Sequence, residues 1–333
     1  MSIGEAEAEP VPTFERRPMA TPTTPATEAL LRSLLDYAGL FPPARLDMSE
    51  AVSRYLRALD GSDHTMLGTF VLPLGRLDEF AEVVGRSSTP GRERLPVSLI
   101  VPAEKGSEVR SARERLAGVG VIGALEVPPS DASAVTAFAD QVPDDVQVFH
   151  EVPHALAQPG SLVLDDEALR LLDAIALAGD CAKIRTGGLE ATAFPSVFEL
   201  AAFVEACRER GVPFKATAGL HHAVRGPHRT EGDHGPRVWM HGFLNLAIGS
   251  ALLWAGKVTR EELVEVLSES SIQVFAFDRR SLRWRDRELA TDEIHRCRRG
   301  FYQSFGSCSF REPTGELAAA GWLEAMRRPE VRV

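Results

Sequence analysis

Two lysines lie in short apolar segments that resemble each other, in a chain where lysine is rare. Lys183 lies in residues 181–188 and Lys215 in residues 213–219, and both segments continue through Thr to Gly. Only four of the 37 basic residues are lysines. Arginine stays charged in proteins, whereas a buried lysine shifts its pKa and can act as a nucleophilic amine. The first hypothesis is therefore that at least one of these lysines does chemistry.

Strand and helix patterns alternate around the two lysines, which predicts βαβ units and a parallel sheet. The segments that predict strands are residues 66–73, 95–102, 121–128, 146–153, 181–186 and 212–218. Residues 35–41 as a first strand and 237–242 as a last strand bring the number to eight. The sequence therefore predicts an α/β fold, a (β/α)₈ TIM barrel.

Three regions are expected along the chain. Residues 1–26 are rich in Pro, Thr, Glu and Ala without periodicity, which is typical of a disordered tail. Residues 27–270 are predicted to form the barrel. Residues 271–333 are predicted to form an appendage that covers one end of it, with a hairpin over residues 272–286 and a helix over 291–299.

Composition excludes several classes of protein. The net charge is −10 and no basic patch is evident, which argues against nucleic-acid binding. No apolar run is long enough for a membrane span, and residues 243–255 are better explained by a buried helix. The four cysteines are scattered and no signal peptide is evident, so a cytoplasmic location is expected.

Strand alternation places both lysines inside the barrel, because the other face of each strand is apolar. The same argument turns Glu126 and Glu151 inward, near the strand ends where this fold places its active sites. Two neighbouring ammonium groups, with Arg185 beside them, would disfavour each other's charge and leave Lys183 neutral. The glutamates would then move protons. The alternative is that Lys183–Glu151 and Lys215–Glu126 are structural ion pairs.

Residues 167–221 resemble the deoxyribose-phosphate aldolase family of class I aldolases. That family carries Lys-Thr-Ser-Thr-Gly on one strand and Lys-Ala-(Ser/Ala)-Gly-Gly-Ile-Arg one βα unit later. This chain reads Lys-Ile-Arg-Thr-Gly from residue 183 and Lys-Ala-Thr-Ala-Gly from residue 215. Residues 34–42 and 148–151 are similar to two further strands of the family.

The resemblance implies a TIM barrel in which Lys183 forms the Schiff base and Lys215 lowers the pKa of Lys183. Glu126 lies on the strand of the family's acid/base aspartate, although the local sequences differ. The family's phosphate-binding Gly-Ile-Arg and Gly-Thr-Ser-Ser-Gly loops are missing here, so a sugar phosphate is not expected. Arg185 favours a carboxylate or another small anion, because its planar fork suits bidentate pairing.

Five histidines crowd into residues 221–241. His221 and His222 are adjacent and would point in opposite directions, and no metal-binding spacing is present, so no metal is expected. His228 and His234 are interpreted as parts of an exposed loop. The predicted substrate-binding residues are Arg185, Thr186, Thr217, His221, His222, His241 and Asp36.

The leading prediction is a Schiff-base lyase that needs no cofactor and acts on a small carbonyl compound, with Lys183, Lys215, Glu126 and Glu151 as catalytic residues. Two alternatives stay open: a metal-dependent or general acid/base enzyme using the glutamates and histidines, and a non-catalytic barrel that binds a metabolite. Cys308 has no histidine near it in sequence, so a buried or lid-packing role is expected. A homo-oligomer is an option that the sequence leaves open.

Overall fold

Eight parallel strands close into a barrel in the computed structural model, which describes residues 25–87, 93–153, 162–231 and 234–327. The barrel strands are β1 (Leu35–Tyr37), β2 (Leu67–Pro73), β3 (Leu95–Ile100), β4 (Gly120–Val127), β5 (Gln147–Val152), β6 (Cys181–Arg185), β7 (Phe214–Thr217) and β13 (Tyr302–Ser307). Their order around the barrel is β1-β13-β7-β6-β5-β4-β3-β2. The predicted (β/α)₈ fold is therefore confirmed.

One helix precedes the first barrel strand, and the others lie between the barrel strands and along the C-terminal part of the chain. They are α1 (Ala26–Leu31), α2 (Met48–Leu59), α3 (Leu77–Ser87), α4 (Val109–Leu116), α5 (Ala132–Ala139), α6 (Asp166–Ala178), α7 (Val197–Arg210), α8 (Phe243–Trp254), α9 (Arg260–Ser268), α10 (Thr291–Gly300), α11 (Arg311–Ala319) and α12 (Trp322–Arg327). The Ser196 side chain caps the start of α7 and Gly211, in the left-handed region, ends it. This helix returns the chain from β6 to β7, so the two lysine-bearing strands are neighbours.

The last strand of the barrel differs from the sequence prediction. Residues 237–242 were expected to close the barrel, but β9 (His234–Met240) pairs antiparallel with β8 (Gly226–Glu231) in a separate hairpin. These two segments are nearly contiguous, so pairing them closes a very short loop at little entropic cost. A parallel barrel strand must instead return through a long crossover connection. The closing strand is β13, which pairs with β7 and β1.

The region after residue 270 therefore contributes to the barrel itself. Its predicted hairpin is present as β10 (Phe275–Phe277) and β11 (Ser281–Trp284), extended by β12 (Arg287–Ala290) into an antiparallel sheet. The predicted helix is present as α10 and leads directly into β13. A division at residue 270 between barrel and appendage is thus contradicted, because β13 completes the barrel after this sheet.

Two further expectations concern the N-terminal tail and the apolar residues 243–255. The predicted disordered tail lies outside the described residues except for Pro25 and Ala26, and Ala26 is buried at the start of α1. The helix α8 is buried from Phe243 to Leu253, as expected for residues 243–255. No helix within the described ranges is both long enough and apolar enough to cross a membrane.

Candidate active site

Charged side chains converge inside the barrel from neighbouring strands. Lys183 on β6 lies beside Lys215 on β7 and beside Glu151 on β5 in the strand register. Glu126 on β4 reaches the same place. Lys183 is 4% exposed, Lys215 1% and Glu126 2%. The inward orientation predicted from strand alternation is therefore what the structure shows.

Glu126 joins the two lysines into one network. The Lys183 Nζ atom lies 3.2 Å from Glu126 Oε2 and 3.0 Å from Glu151 Oε2. The Lys215 Nζ atom lies 2.8 Å from Glu126 Oε1 and 2.6 Å from Asp36 Oδ2. Two ammonium groups and three carboxylates give a net charge of −1 when all are ionised. Both expected ion pairs are present, together with two pairs that the sequence did not predict.

Small polar side chains orient the two carboxylates that bind Lys215. Asp36 accepts hydrogen bonds from the Thr69 backbone amide at 2.9 Å, the Thr69 hydroxyl at 2.8 Å and the Ser304 hydroxyl at 2.6 Å. The Ser98 hydroxyl donates to Glu126 Oε1 at 2.8 Å. Sequence reasoning missed these residues, although Ser98 could have been found as the single polar residue of the apolar strand β3.

The network keeps Lys215 charged. Burial alone would raise the pKa of Glu126, but the positive charges of Lys215 and Lys183 lower it to about 2. Burial would lower the pKa of Lys215, but the Asp36 and Glu126 carboxylates outweigh burial and raise it. Lys215 is therefore an ammonium ion at neutral pH. The expected repulsion between the two lysines is offset by Glu126, which lies between their amino groups.

A cavity of about 640 Å³ opens at the C-terminal ends of the barrel strands. Lys183 contributes to its wall, whereas Lys215 lies behind Glu126 and does not line it. Asp36, predicted to bind substrate, also does not line the cavity, because its carboxylate is directed at Lys215. The predicted site residues that line the cavity are Glu126, Glu151, Lys183, Arg185, Thr217 and His221.

The ends of the two lysine-bearing segments pack backbone against backbone. The Thr186 hydroxyl donates to the carbonyl oxygen of Ala218 at 2.5 Å, and Thr186 is buried. Thr186 was predicted to bind substrate, but it does not line the cavity. Gly219 has a φ of +72°, and a Cβ placed on it would lie 2.8 Å from the Cα of Gly187. Both segments therefore end in glycine because no side chain fits between them.

Two of the three histidines predicted to bind substrate lie away from the cavity. The His222 Nδ1 atom lies 2.7 Å from Glu316 Oε1, and its ring stacks on His228 of β8 at 3.4 Å between centroids. His228 is thus part of a strand rather than of an exposed loop. His241 is buried and donates from Nε2 to the Pro195 carbonyl at 2.7 Å. Burial lowers the pKa of His241 to about 4, which indicates a structural, neutral imidazole.

Arg185 and Thr217 remain available to a ligand at the cavity wall. Arg185 is exposed, and within the part of the chain that the structure describes its guanidinium has no ion-pair partner. An unpaired guanidinium beside a cavity is suited to bind a carboxylate through two parallel hydrogen bonds. In the same described ranges, no group of three or more His, Cys, Asp and Glu side chains is arranged to hold a metal ion.

Comparisons with known proteins provide no family assignment. No protein-family model matches the chain, and no curated protein sequence matches it. Among solved structures, the chain is similar to a mandelate racemase/muconate lactonizing enzyme-like protein from Rubrobacter xylanophilus, at 15% identity and a TM-score of 0.36. The matched region covers 59% of this chain and half the length of that protein. None of these comparisons shows the aldolase family that the sequence resembles.

Proposed function

We propose that this protein is a Schiff-base-forming lyase, in which the Lys183 amine attacks the carbonyl carbon of a small substrate. One observation carries the proposal. Of the two lysines in the buried network, Lys183 reaches the cavity and Lys215 lies behind Glu126. The sequence resemblance to class I aldolases supports the same choice of Lys183 as the nucleophile. The protonated imine would then act as the electron sink when a C–C bond breaks or forms.

The carboxylates beside Lys183 suit both stages of such a reaction. Before attack, Lys183 must lose a proton, and Glu151 lies 3.0 Å away to accept it. Transfer of that proton leaves the net charge of the network unchanged. After water leaves, the iminium carries a positive charge where the ammonium had been, so Glu126 and Glu151 continue to stabilise it.

Lys215 takes a different role from the one that the sequence predicted. Its ammonium group holds Asp36 and one oxygen of Glu126, so the second oxygen of Glu126 is directed at Lys183. Lys215 is therefore proposed to position Glu126 rather than to keep Lys183 neutral.

The substrate proposed is a carbonyl compound that carries a carboxylate. Arg185 provides the matching positive charge, and Thr217 provides a hydroxyl in the same wall. A cavity of about 640 Å³ is of the size that holds small molecules. Replacing Arg185 with glutamine is expected to raise KM for an acidic substrate more than for its neutral ester.

Borohydride trapping tests the proposal. The purified protein is incubated with a panel of aldehydes, ketones and keto acids, reduced, digested and read by mass spectrometry. We expect a secondary amine at Lys183 in the wild-type protein and none at that position in Lys183→Arg. Lys105→Arg is the matched control, because its amino group is half-exposed and outside the cavity. Adducts confined to Lys105 and Lys257, or absent altogether, would contradict the proposal.

A second candidate is a proton-transfer enzyme that forms no imine. It is favoured by the position of Glu151, whose carboxylate lies in the cavity wall 3.0 Å from the Lys183 amino group. In that reaction Glu151 would remove a proton beside a carbonyl, and Lys183 would stabilise the enolate as an ammonium ion. Incorporation of deuterium from heavy water into a panel substrate, retained in Lys183→Arg, would identify this reaction. A ligand that binds without trapping or exchange would indicate a non-catalytic barrel.

A further inference from the structure

A cysteine, a histidine and a glutamate meet in the wall of the same cavity. Cys308 directly follows β13, and His221 follows β7, the neighbouring strand of the barrel. The Cys308 sulfur lies 3.9 Å from His221 Nε2, and His221 Nδ1 lies 3.0 Å from Glu312 Oε2. Cys308 and His221 both line the cavity. The order thiol, imidazole, carboxylate is that of an activated cysteine nucleophile.

Sequence reasoning missed this group because its members lie far apart in the chain. Cys308 and His221 are separated by 87 residues. The strand pairing of β7 with β13 brings the two loops together, and it depends on the closing strand that was predicted elsewhere. Glu312 lies in the first turn of α11, just after the cysteine.

We propose that Cys308, His221 and Glu312 form a second reactive centre in which the Cys308 thiolate adds to the carbonyl carbon of an aldehyde. In the resting pair the thiol proton is already on His221 Nε2, and the thiolate sulfur forms a bond to the carbonyl carbon. The π electrons of the carbonyl move to its oxygen, which receives the proton from the imidazolium. The product is a thiohemiacetal, and no group is oxidised or reduced. Glu312 is a positioning residue, because it acts only through the His221 ring.

The charges around His221 agree with this role. Burial lowers the pKa of the His221 imidazolium, but its hydrogen bonds to Cys308 and Glu312 outweigh burial and raise it to about 10. A protonated imidazole beside a thiol stabilises the thiolate. The other titratable groups near the pair include Tyr37, His222, His228 and Glu316, and a second cavity that Cys308 lines also has Glu50, Arg54, Arg57, Asp63 and Arg311 in its wall. Burial raises the pKa of Tyr37 to about 12, so it stays neutral at physiological pH.

The remaining cysteines provide internal controls. Burial raises the pKa of Cys181 to about 12 and that of Cys297 to about 11, and it raises the pKa of Cys207 as well. None of these three lines the cavity. In the folded protein they should therefore react slowly with an alkylating agent at every pH where Cys308 reacts.

Alkylation kinetics test whether His221 and Glu312 make Cys308 a reactive thiolate. Wild-type protein is treated with iodoacetamide across about pH 5 to pH 10, and each cysteine is followed by peptide mass spectrometry. We expect Cys308 to react at pH 7 at least about tenfold faster in the wild-type protein than in His221→Asn, with Glu312→Gln between the two. The ratio of the wild-type rate to the His221→Asn rate should fall towards one at about pH 10, where free thiols are ionised. Equal Cys308 rates at pH 7 in the wild-type protein and in His221→Asn, or a wild-type Cys308 rate no higher than that of the three buried cysteines, would overturn the proposal.

Addition to a carbonyl is tested with acetaldehyde labelled with carbon-13 at its carbonyl carbon. In the nuclear magnetic resonance spectrum a thiohemiacetal carbon is saturated, whereas an imine carbon is not, so the two products give separate signals. We expect a saturated-carbon signal in the wild-type protein that disappears in Cys308→Ser and persists in Lys183→Arg. An imine signal should show the reverse dependence. Absence of any Cys308-dependent signal would overturn this addition without bearing on the Schiff base.

Discussion

Replacing Glu126 with glutamine removes the charge that both buried lysines share while preserving the size of the side chain. Burial opposes ionisation of this carboxyl, but the charges of Lys215 and Lys183 lower its pKa from 4.5 to about 2. At about 1.4 kcal/mol for each factor of ten in acidity, this lowering is worth about 3 kcal/mol of folding free energy. Glu126→Gln should therefore lower the free energy of unfolding by about 3 kcal/mol at pH 7.

The pH dependence follows from the direction of that pKa change. Because the pKa of Glu126 is lower in the folded protein than in the unfolded chain, its contribution is fully present above about pH 4.5. The contribution is lost as the pH falls towards about 2, where the native carboxyl also takes up a proton. The difference between wild type and Glu126→Gln should accordingly shrink as the pH falls through this range.

Urea unfolding followed by circular dichroism at neutral and acidic pH measures both effects. Glu79→Gln is the control, since Glu79 pairs with Arg76 at 2.7 Å and the Glu79 and Arg76 side chains are 47% and 34% exposed. That substitution should cost less than about 1 kcal/mol. If Glu126→Gln cost no more than the control at pH 7, or cost the same at both pH values, the charge network would not stabilise the fold as described.

Three further changes have expected outcomes. Lys215→Met leaves the buried Asp36 carboxylate without its ammonium partner and Glu126 with Lys183 alone, and should lower the free energy of unfolding by about 3 to 5 kcal/mol in urea titrations. Thr186→Val removes a buried hydroxyl donor and should cost about 1 to 3 kcal/mol with an unchanged urea m-value. Gly219→Ala should lower Tm more than Gly179→Ala, because both glycines have φ near +70° but only Gly219 contacts other backbone. Equal Tm losses for the two glycine variants would contradict the packing argument.

Features that depend on nearby residues were predictable from the sequence. The helix predicted over residues 291–299 is present as α10, since helical periodicity involves residues a few positions apart. Strand alternation correctly turned Lys183, Lys215 and Glu126 towards the barrel interior. The apolar face of each strand must contact helices, and this requirement can be read from five or six residues.

Which of the two lysines lines the cavity was not predictable in this way. Both lysines have the same orientation and are partners in the strand register, but Lys215 is bound by Asp36 and Glu126 and does not line the cavity, whereas Lys183 does. Asp36 binds Lys215 across 179 residues, and nothing near Asp36 in the chain indicates this partner. Thr186 and His241 were expected to contact the ligand. Instead, the Thr186 hydroxyl donates a hydrogen bond to the Ala218 carbonyl oxygen, and the His241 ring donates one to the Pro195 carbonyl oxygen.

The chain by itself determined the fold class and which charged residues enter the barrel, because both follow from periodicity over short segments. Only the tertiary structure decided which strand closes the barrel, since parallel pairing joins segments far apart in sequence. That closure sets β13 beside β7 and β1, where Ser304 holds Asp36 and Cys308 meets His221. The two centres proposed here share one cavity because strand order, not sequence proximity, determines which side chains meet.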